Sequence, residues 1–121
     1  EALKTERKRF KILSESAKFG LVLFDRNGKF KYTNAMFSEL FGYGASEVID
    51  GKSWFKNAYP EKEYRRFVAT EWINFVENAK PGVQPPRIFK TACKDGTEKI
   101  VNFIPVKLET GEFLMTCDDI T

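Results

Sequence analysis

The sequence predicts an α+β domain built on a five-stranded antiparallel sheet, with helices packed across one sheet face and a further helix at the N-terminus. Three observations carry this. Strand-like segments gather at the two ends of the chain, at 21–33 and 87–118. Helical spacing fills the middle, at 34–79. Each strand group contains a tight-turn dipeptide, Asn27-Gly28 or Asp95-Gly96, of the kind that joins antiparallel neighbours.

Residues 1–18 read as an amphipathic helix, with Leu3, Phe10, Leu13 and Ala17 near heptad positions and Lys4, Arg7, Lys8, Arg9 and Lys11 on the wet side. A segment this short is unstable alone. It must pack on the domain or pair with a second copy through Leu3, Phe10 and Leu13. Residues 19–121 then form the domain proper.

Leu21-Val22-Leu23-Phe24 is a continuous apolar run, which predicts a strand covered on both faces. Asp25-Arg26-Asn27-Gly28 supplies a turn, and Lys29 to Thr33 alternates, placing Phe30 and Tyr32 on one face. Asn34 is a good N-cap for a short helix bearing Met36, Phe37, Leu40 and Phe41, which Gly42 ends. Ser46 caps a second short turn that Gly51 stops, and Trp54, Phe55 and Tyr59 follow with little periodicity.

Pro60 opens the one long helix from its first position, and Glu61 and Glu63 suit its positive end. Tyr64, Phe67, Val68, Trp72, Phe75, Val76 and Ala79 repeat at three and four residues as one apolar stripe. Pro81-Gly82 ends it, and 80–86 reads as a loop. Three strands close the chain, at 87–94, 98–108 and 112–118, the last with Phe113, Met115 and Cys117 on one face. In such a chain the first and last strands can meet at the sheet centre.

The 121 residues fit one core, and 12 of them are Phe. Net charge is +3, with both signs scattered. No basic stripe or recognised motif points to nucleic acid. The chain has no His, which removes Ser-His-Asp catalysis, His bases and His-ligated metal or haem. The two cysteines, Cys93 and Cys117, form neither a framework nor a CxxC pair, and predict a reducing, cytoplasmic setting. As redox sensors they would need exposed, low-pKa thiolates; as small strand residues they would pack in the core. The carboxylates Glu61, Glu63, Glu71, Asp118 and Asp119 read as solvated groups and not as an acid–base pair. No apolar run is long enough for a membrane span, although a parent protein could be anchored elsewhere: the chain opens without Met, and we read it as part of a longer protein.

The order and spacing of several short features resemble the PAS sensor domains over about residues 14–121. Phe24-Asp25-Arg26-Asn27-Gly28-Lys29-Phe30 resembles the first PAS hairpin. Asn34-Ala35-Met36-Phe37 followed by Leu40-Phe41-Gly42-Tyr43 resembles the helix after it. Lys94-Asp95-Gly96-Thr97 resembles the turn between the third and fourth strands. Asp119-Ile120-Thr121 resembles the short terminal motif that hands a signal onward. Trp54-Phe55, Tyr59-Pro60-Glu61 and Glu63-Tyr64-Arg65 look like a bacterial sensory-box subgroup.

The resemblance implies a hollow between sheet and helices in which the family holds ligands. The candidate lining on the early strands and helices is Phe30, Tyr32, Phe37, Phe41 and Trp54. Phe67, Phe89, Phe103 and Met115 complete it from the long helix and the later strands. The same residues would equally fill a closed core. The family's haem usually hangs on a His, absent here. A flavin that forms a Cys adduct needs a helical Cys, and 34–79 contains none; a thioester-bound chromophore fails on the same ground if it attaches there. Non-covalent flavin or another small organic ligand stays open, as does no cofactor at all. The expected role is a sensor or relay module, not itself an enzyme. It would be a homodimer through the N-terminal helix, feeding a covalently attached histidine kinase or GGDEF-type diguanylate cyclase. A ligand-free PAS spacer that only dimerises or docks is the second reading, and a small stand-alone enzyme the third and least favoured.

Overall fold

The computed structural model describes residues 2–44 and 50–121. The turn read at Ser46–Ile49 and the side chain of Leu3 lie outside the described residues. The elements in order are α1 (Ala2–Ser16), β1 (Gly20–Phe24), β2 (Phe30–Thr33), α2 (Ala35–Phe41), α3 (Gly51–Ala58), α4 (Lys62–Asn78), β3 (Gly82–Val83), β4 (Arg87–Ala92), β5 (Glu98–Lys107) and β6 (Phe113–Asp119).

All pairings are antiparallel. The sheet runs β2-β1-β6-β5, and β5 carries both β4 and β3 along its far edge. The first and last long strands therefore meet at the centre, with Val22 opposite Met115. The inward positions of β6 (Phe113, Met115 and Cys117) and of β5 (Val101, Phe103 and Pro105) alternate with half-exposed or exposed ones, as a sheet covered on one face requires. Helix α4 crosses this face, with Phe75 against Phe113 and Trp72 edge-on to Phe103 and Phe89.

Four local readings change. The run at 21–24 is not covered throughout: Gly20, Leu21 and Val22 are buried, while Leu23 and Phe24 are half-buried. Within 80–86, Gly82-Val83 forms a sixth short strand against Val106-Lys107. The ten-residue β5 outruns β4, and this piece pairs its leftover edge. Pro105 is tolerated in β5 because its carbonyl accepts from Gln84 N (2.8 Å). Its nitrogen faces that same edge and takes no bond from β6. Gly51 starts a helix where a stop is expected: Asp50 is the N-cap of α3 and accepts from Ser53 N (2.7 Å). Finally, α4 begins after Pro60, with Glu61 as N-cap accepting from Glu63 N and Tyr64 N. Two acceptor contacts at the positive helix end hold the Glu61 carboxyl below its ordinary range.

Asn34 and Gly42 behave as their residue types dictate. Asn34 caps α2, and Gly42 ends it in the left-handed region at φ 84°, where a Cβ is strained.

Candidate ligand-binding site

A cleft of about 530 Å³ opens between the β1–β2 turn, α3 and α4, with Met115 of β6 at its floor. Its volume lies in the roughly 300–1,000 Å³ range of small-molecule sites.

The turn wall is fixed by local chemistry. Asp25 Oδ1 accepts from Asn27 N (2.9 Å) and Lys29 N (3.0 Å), and Gly28 takes φ 84°. Gly28 O then accepts from Gly51 N (2.7 Å), so the turn is tied directly to the start of α3. Helix α3 contributes Lys52, Trp54 and Phe55. The third wall is one face of α4, where Ala69, Trp72, Ile73, Val76 and Glu77 follow the spacing of a single helical stripe. Phe24 and Phe30 complete the apolar lining from the hairpin.

Of the residues singled out from sequence, Phe30, Trp54 and Met115 line this cleft. Phe37, Phe41, Phe89 and Phe103 lie in the buried core behind it. Phe37 and Phe41 pack on Trp54 with ring centroids 6.2 and 5.3 Å away. Phe67 is 55% exposed on α4, stacked on Tyr64.

Tyr32 faces the N-terminal helix, not the cleft. In β1–β2, Phe24 pairs with Phe30 but Leu23 with Tyr32, so Lys31 is an extra residue. This bulge breaks the alternation that would have put Phe30 and Tyr32 on one side. Phe30 packs inward on Phe37, and Tyr32 meets Phe10 of α1 edge-on at 5.7 Å. Tyr32 Oη accepts from Ser14 Oγ (2.9 Å) and donates to Glu15, whose other oxygen accepts from Ala35 N (2.8 Å). The Tyr32 and Ala35 donors hold the Glu15 carboxyl low, while burial and the carboxylate push the Tyr32 phenol up.

Spacing signals existed for residues that the sequence reading passed over. Ala69, Ile73 and Glu77 lie four apart and flank Trp72 and Val76 of the stripe already recognised. In the sequence, Phe24 reads only as part of a strand and Phe55 only as part of an irregular stretch.

Neither cysteine lines the cleft. Both are free and buried, and burial pushes both thiols up, opposite to what a reactive thiolate needs. Cys93 lies just beyond β4 and points its thiol at Leu40 O (3.3 Å). Among the described residues, no group of His, Cys, Asp or Glu is arranged to hold a metal ion. No described helix is long and apolar enough to cross a membrane.

The terminal motif is pinned to β5. Ile120 N donates to Ile100 O (2.9 Å), and Ile100 N donates to Thr121 Oγ1 (2.9 Å). Asp119 Oδ1 accepts from Thr121 N (2.9 Å) and from its hydroxyl, contacts that lower the Asp119 pKa. On α1, Phe10 is partly exposed and Leu13 is 72% exposed.

A family model described as a PAS domain matches residues 8–77. No curated protein matches the chain. Among solved structures, a domain of a sensory box sensor histidine kinase/response regulator from Geobacter sulfurreducens is 18% identical with TM-score 0.75, covering 97% of this chain and 96% of that one. The N-terminal domain of a diguanylate cyclase with PAS/PAC sensor from Marinobacter aquaeolei is 16% identical with TM-score 0.69, covering 85% and 95%. The PAS domain of the Cronobacter turicensis RpfR quorum-sensing receptor, in complex with BDSF, is 20% identical with TM-score 0.69, covering 88% and 97%. The family match spans more than half of the sequence and the sheet-and-helix architecture is shared along nearly all of it: the chain belongs to the PAS domain family.

Proposed function

We propose that this domain is the ligand-responsive input module of a larger bacterial signalling protein. Occupation of the cleft is passed along β6 to an output domain, a histidine kinase or a diguanylate cyclase, joined after Thr121. The observation that carries this reading is the shared strand. Met115 forms the cleft floor, and four residues further on the same strand Asp119 begins the motif hydrogen-bonded to Ile100. A ligand that repositions Met115 therefore acts directly on the strand that leads to the exit. It shifts the exit only as far as its affinity differs between the two arrangements. The RpfR PAS domain, whose structure is of a complex with BDSF, supports the idea that this architecture takes a ligand. The domain itself carries out no chemistry in this reading.

The cleft suits a small organic ligand. A non-covalent flavin is one such occupant. Two copies pair through α1, using the exposed Leu13 and the part of Phe10 that Tyr32 leaves uncovered, while Ser14 and Glu15 anchor the end of the helix. A ligand-free spacer is the second reading, favoured by the closed packing of Phe37, Phe41 and Phe103 behind the cleft.

The test is purification of the domain under mild conditions, followed by native mass spectrometry and hydrogen exchange. A retained or titratable small molecule that changes exchange at Ile100 and Ile120 is the expected result. Titration of a broad small-molecule set without any such change leaves the spacer reading standing and sinks this one.

A further inference from the structure

Every described side chain from Lys4 to Leu13 is exposed, so α1 stands clear of the domain along most of its length. Two contacts orient it. Phe10 meets Tyr32 edge-on at 5.7 Å, and Ser14 Oγ donates to Tyr32 Oη (2.9 Å). Phe10 and Ser14 are four residues apart and share one side of the helix, the side that faces the domain. Ile12 is two residues from each, about 200° round the helix. It is 58% exposed on the opposite side.

Cations surround Ile12. Lys8 precedes it by four residues and Arg9 by three, the two spacings that make neighbours on a helix surface. Lys4 extends the Lys8 row by a further turn, and Lys11 adjoins Ile12 in sequence. Among the described residues, no ion pair engages any of these four. Glu6 is the one carboxylate in residues 4–13, and it lies on the row of Phe10. Glu15, three residues beyond Ile12, is turned onto Tyr32 and Ala35 N.

A single exposed Ile has no consequence by itself, and cations alone make a solvated face. Their combination narrows the partner. Pairing through Leu13 and Phe10 leaves this side of α1 open, and a second copy would bring it only like charges. Nucleic acid would engage the cations through its phosphates but gains nothing from an isoleucine at their centre. An anionic bilayer answers both: its headgroups attract the cations while Ile12 enters the acyl boundary.

We propose that the side of α1 carrying Lys4, Lys8, Arg9 and Ile12 docks on an anionic lipid surface, so that the domain lies against a membrane without crossing it. This goes beyond the input-module reading and does not depend on the cleft or its occupant.

Co-sedimentation with vesicles tests it, using phosphatidylcholine alone and phosphatidylcholine mixed with phosphatidylglycerol. The chain is expected to bind the mixed vesicles and not the neutral ones, and to bind less as salt screens the charges. Replacing Lys4, Lys8 and Arg9 together by Gln is expected to weaken binding about a hundred-fold, at roughly five-fold per cation. Replacing the exposed Lys56, Lys62 and Lys80 by Gln removes the same charge elsewhere and is expected to leave binding within about two-fold of the wild type, since the attraction fades within a Debye length. Ile12→Ser is expected to weaken it about ten-fold, part of the worth of burying that side chain. Absence of binding to the mixed vesicles at low salt overturns the proposal. So does an equal loss in the two triple variants, which would mean adsorption through net charge. Unchanged binding in Ile12→Ser, with duplex DNA displacing the chain from vesicles, also overturns it and makes this side of α1 a phosphate-polymer surface.

Discussion

Asn34 joins three elements through one amide. Its Oδ1 accepts from Leu21 N (2.9 Å) and Phe37 N (3.0 Å), and its Nδ2 donates to Ser14 O (2.7 Å) and Phe19 O (3.1 Å). The residue is 1% exposed, so water does not replace these partners. Asn34→Ala loses the α2 cap and strands four backbone groups, and is expected to cost about 2–4 kcal/mol. Urea unfolding measures it. Asn34→Asp keeps the acceptor but sets a carboxylate against two carbonyls, and is expected to be destabilised at neutral pH and partly recovered as the pH falls through the range where that buried carboxyl protonates. A loss under 0.5 kcal/mol in Asn34→Ala, roughly the size of a surface substitution, would show that the network is not holding these elements together. The cap itself is legible in the sequence, because Asn before an apolar helical run has few other uses. Its tie to α1 is not, because Ser14 and Phe19 act through backbone carbonyls that any residue could supply.

At the scale of elements, the exit motif is held by side chains from its own residues. Asp119 accepts twice from Thr121, whose Oγ1 in turn accepts from Ile100 N. Asp119→Asn or Thr121→Ala is expected to raise amide exchange at Ile100 and Ile120 without moving exchange in α2, read by hydrogen–deuterium exchange. The pH dependence follows from sign. The Asp119 carboxyl is held below its ordinary value by Thr121. Its contribution is therefore complete above the unfolded aspartate range and is lost as the pH falls through the lowered folded value. The motif is expected to stay closed from neutrality down to mild acid and to loosen only in strong acid. Uniform protection at Ile100 and Ile120 in both variants would remove these side chains from the latch. How much of this was legible differs by element. The caps at Asn34 and Gly42 follow from residue types. Helix α3 does not, because its apolar residues Trp54, Phe55 and Ala58 are few and its start depends on the Asp50 side chain reaching Ser53 N. Nor does the split between Phe30 and Tyr32, since the bulge at Lys31 arises from pairing with β1 and leaves no mark on the alternation of β2 itself.

At the scale of the whole molecule, cleft and exit are coupled only if each changes the other. Linkage makes this quantitative: a ligand that shifts the opening equilibrium of the exit motif by some factor must have its own affinity shifted by the same factor when the motif is opened by other means. Cys117, fully buried between Met115 and Asp119 on β6, lies on the path that carries such a shift. The candidate cleft was half legible for a related reason. Phe30, Trp54 and Met115 are apolar residues of the kind any core uses, and only the meeting of the β1–β2 turn with the start of α3 through Gly28 O and Gly51 N sets them around a common space. The decisive measurement compares two ratios. One is the change in exchange-derived opening of Ile100 and Ile120 on saturating the cleft with a small molecule that native mass spectrometry shows to bind. The other is the change in probe affinity between the wild type and Asp119→Asn, after dividing by the fraction of open motif in each. The two ratios are expected to agree in size and to have the sign that linkage dictates: a probe that tightens the motif binds the loosened variant more weakly, and one that loosens it binds more tightly. Unchanged affinity in Asp119→Asn, alongside a motif that exchange shows to be open, would mean that β6 does not connect them and that the output must be reached by another element.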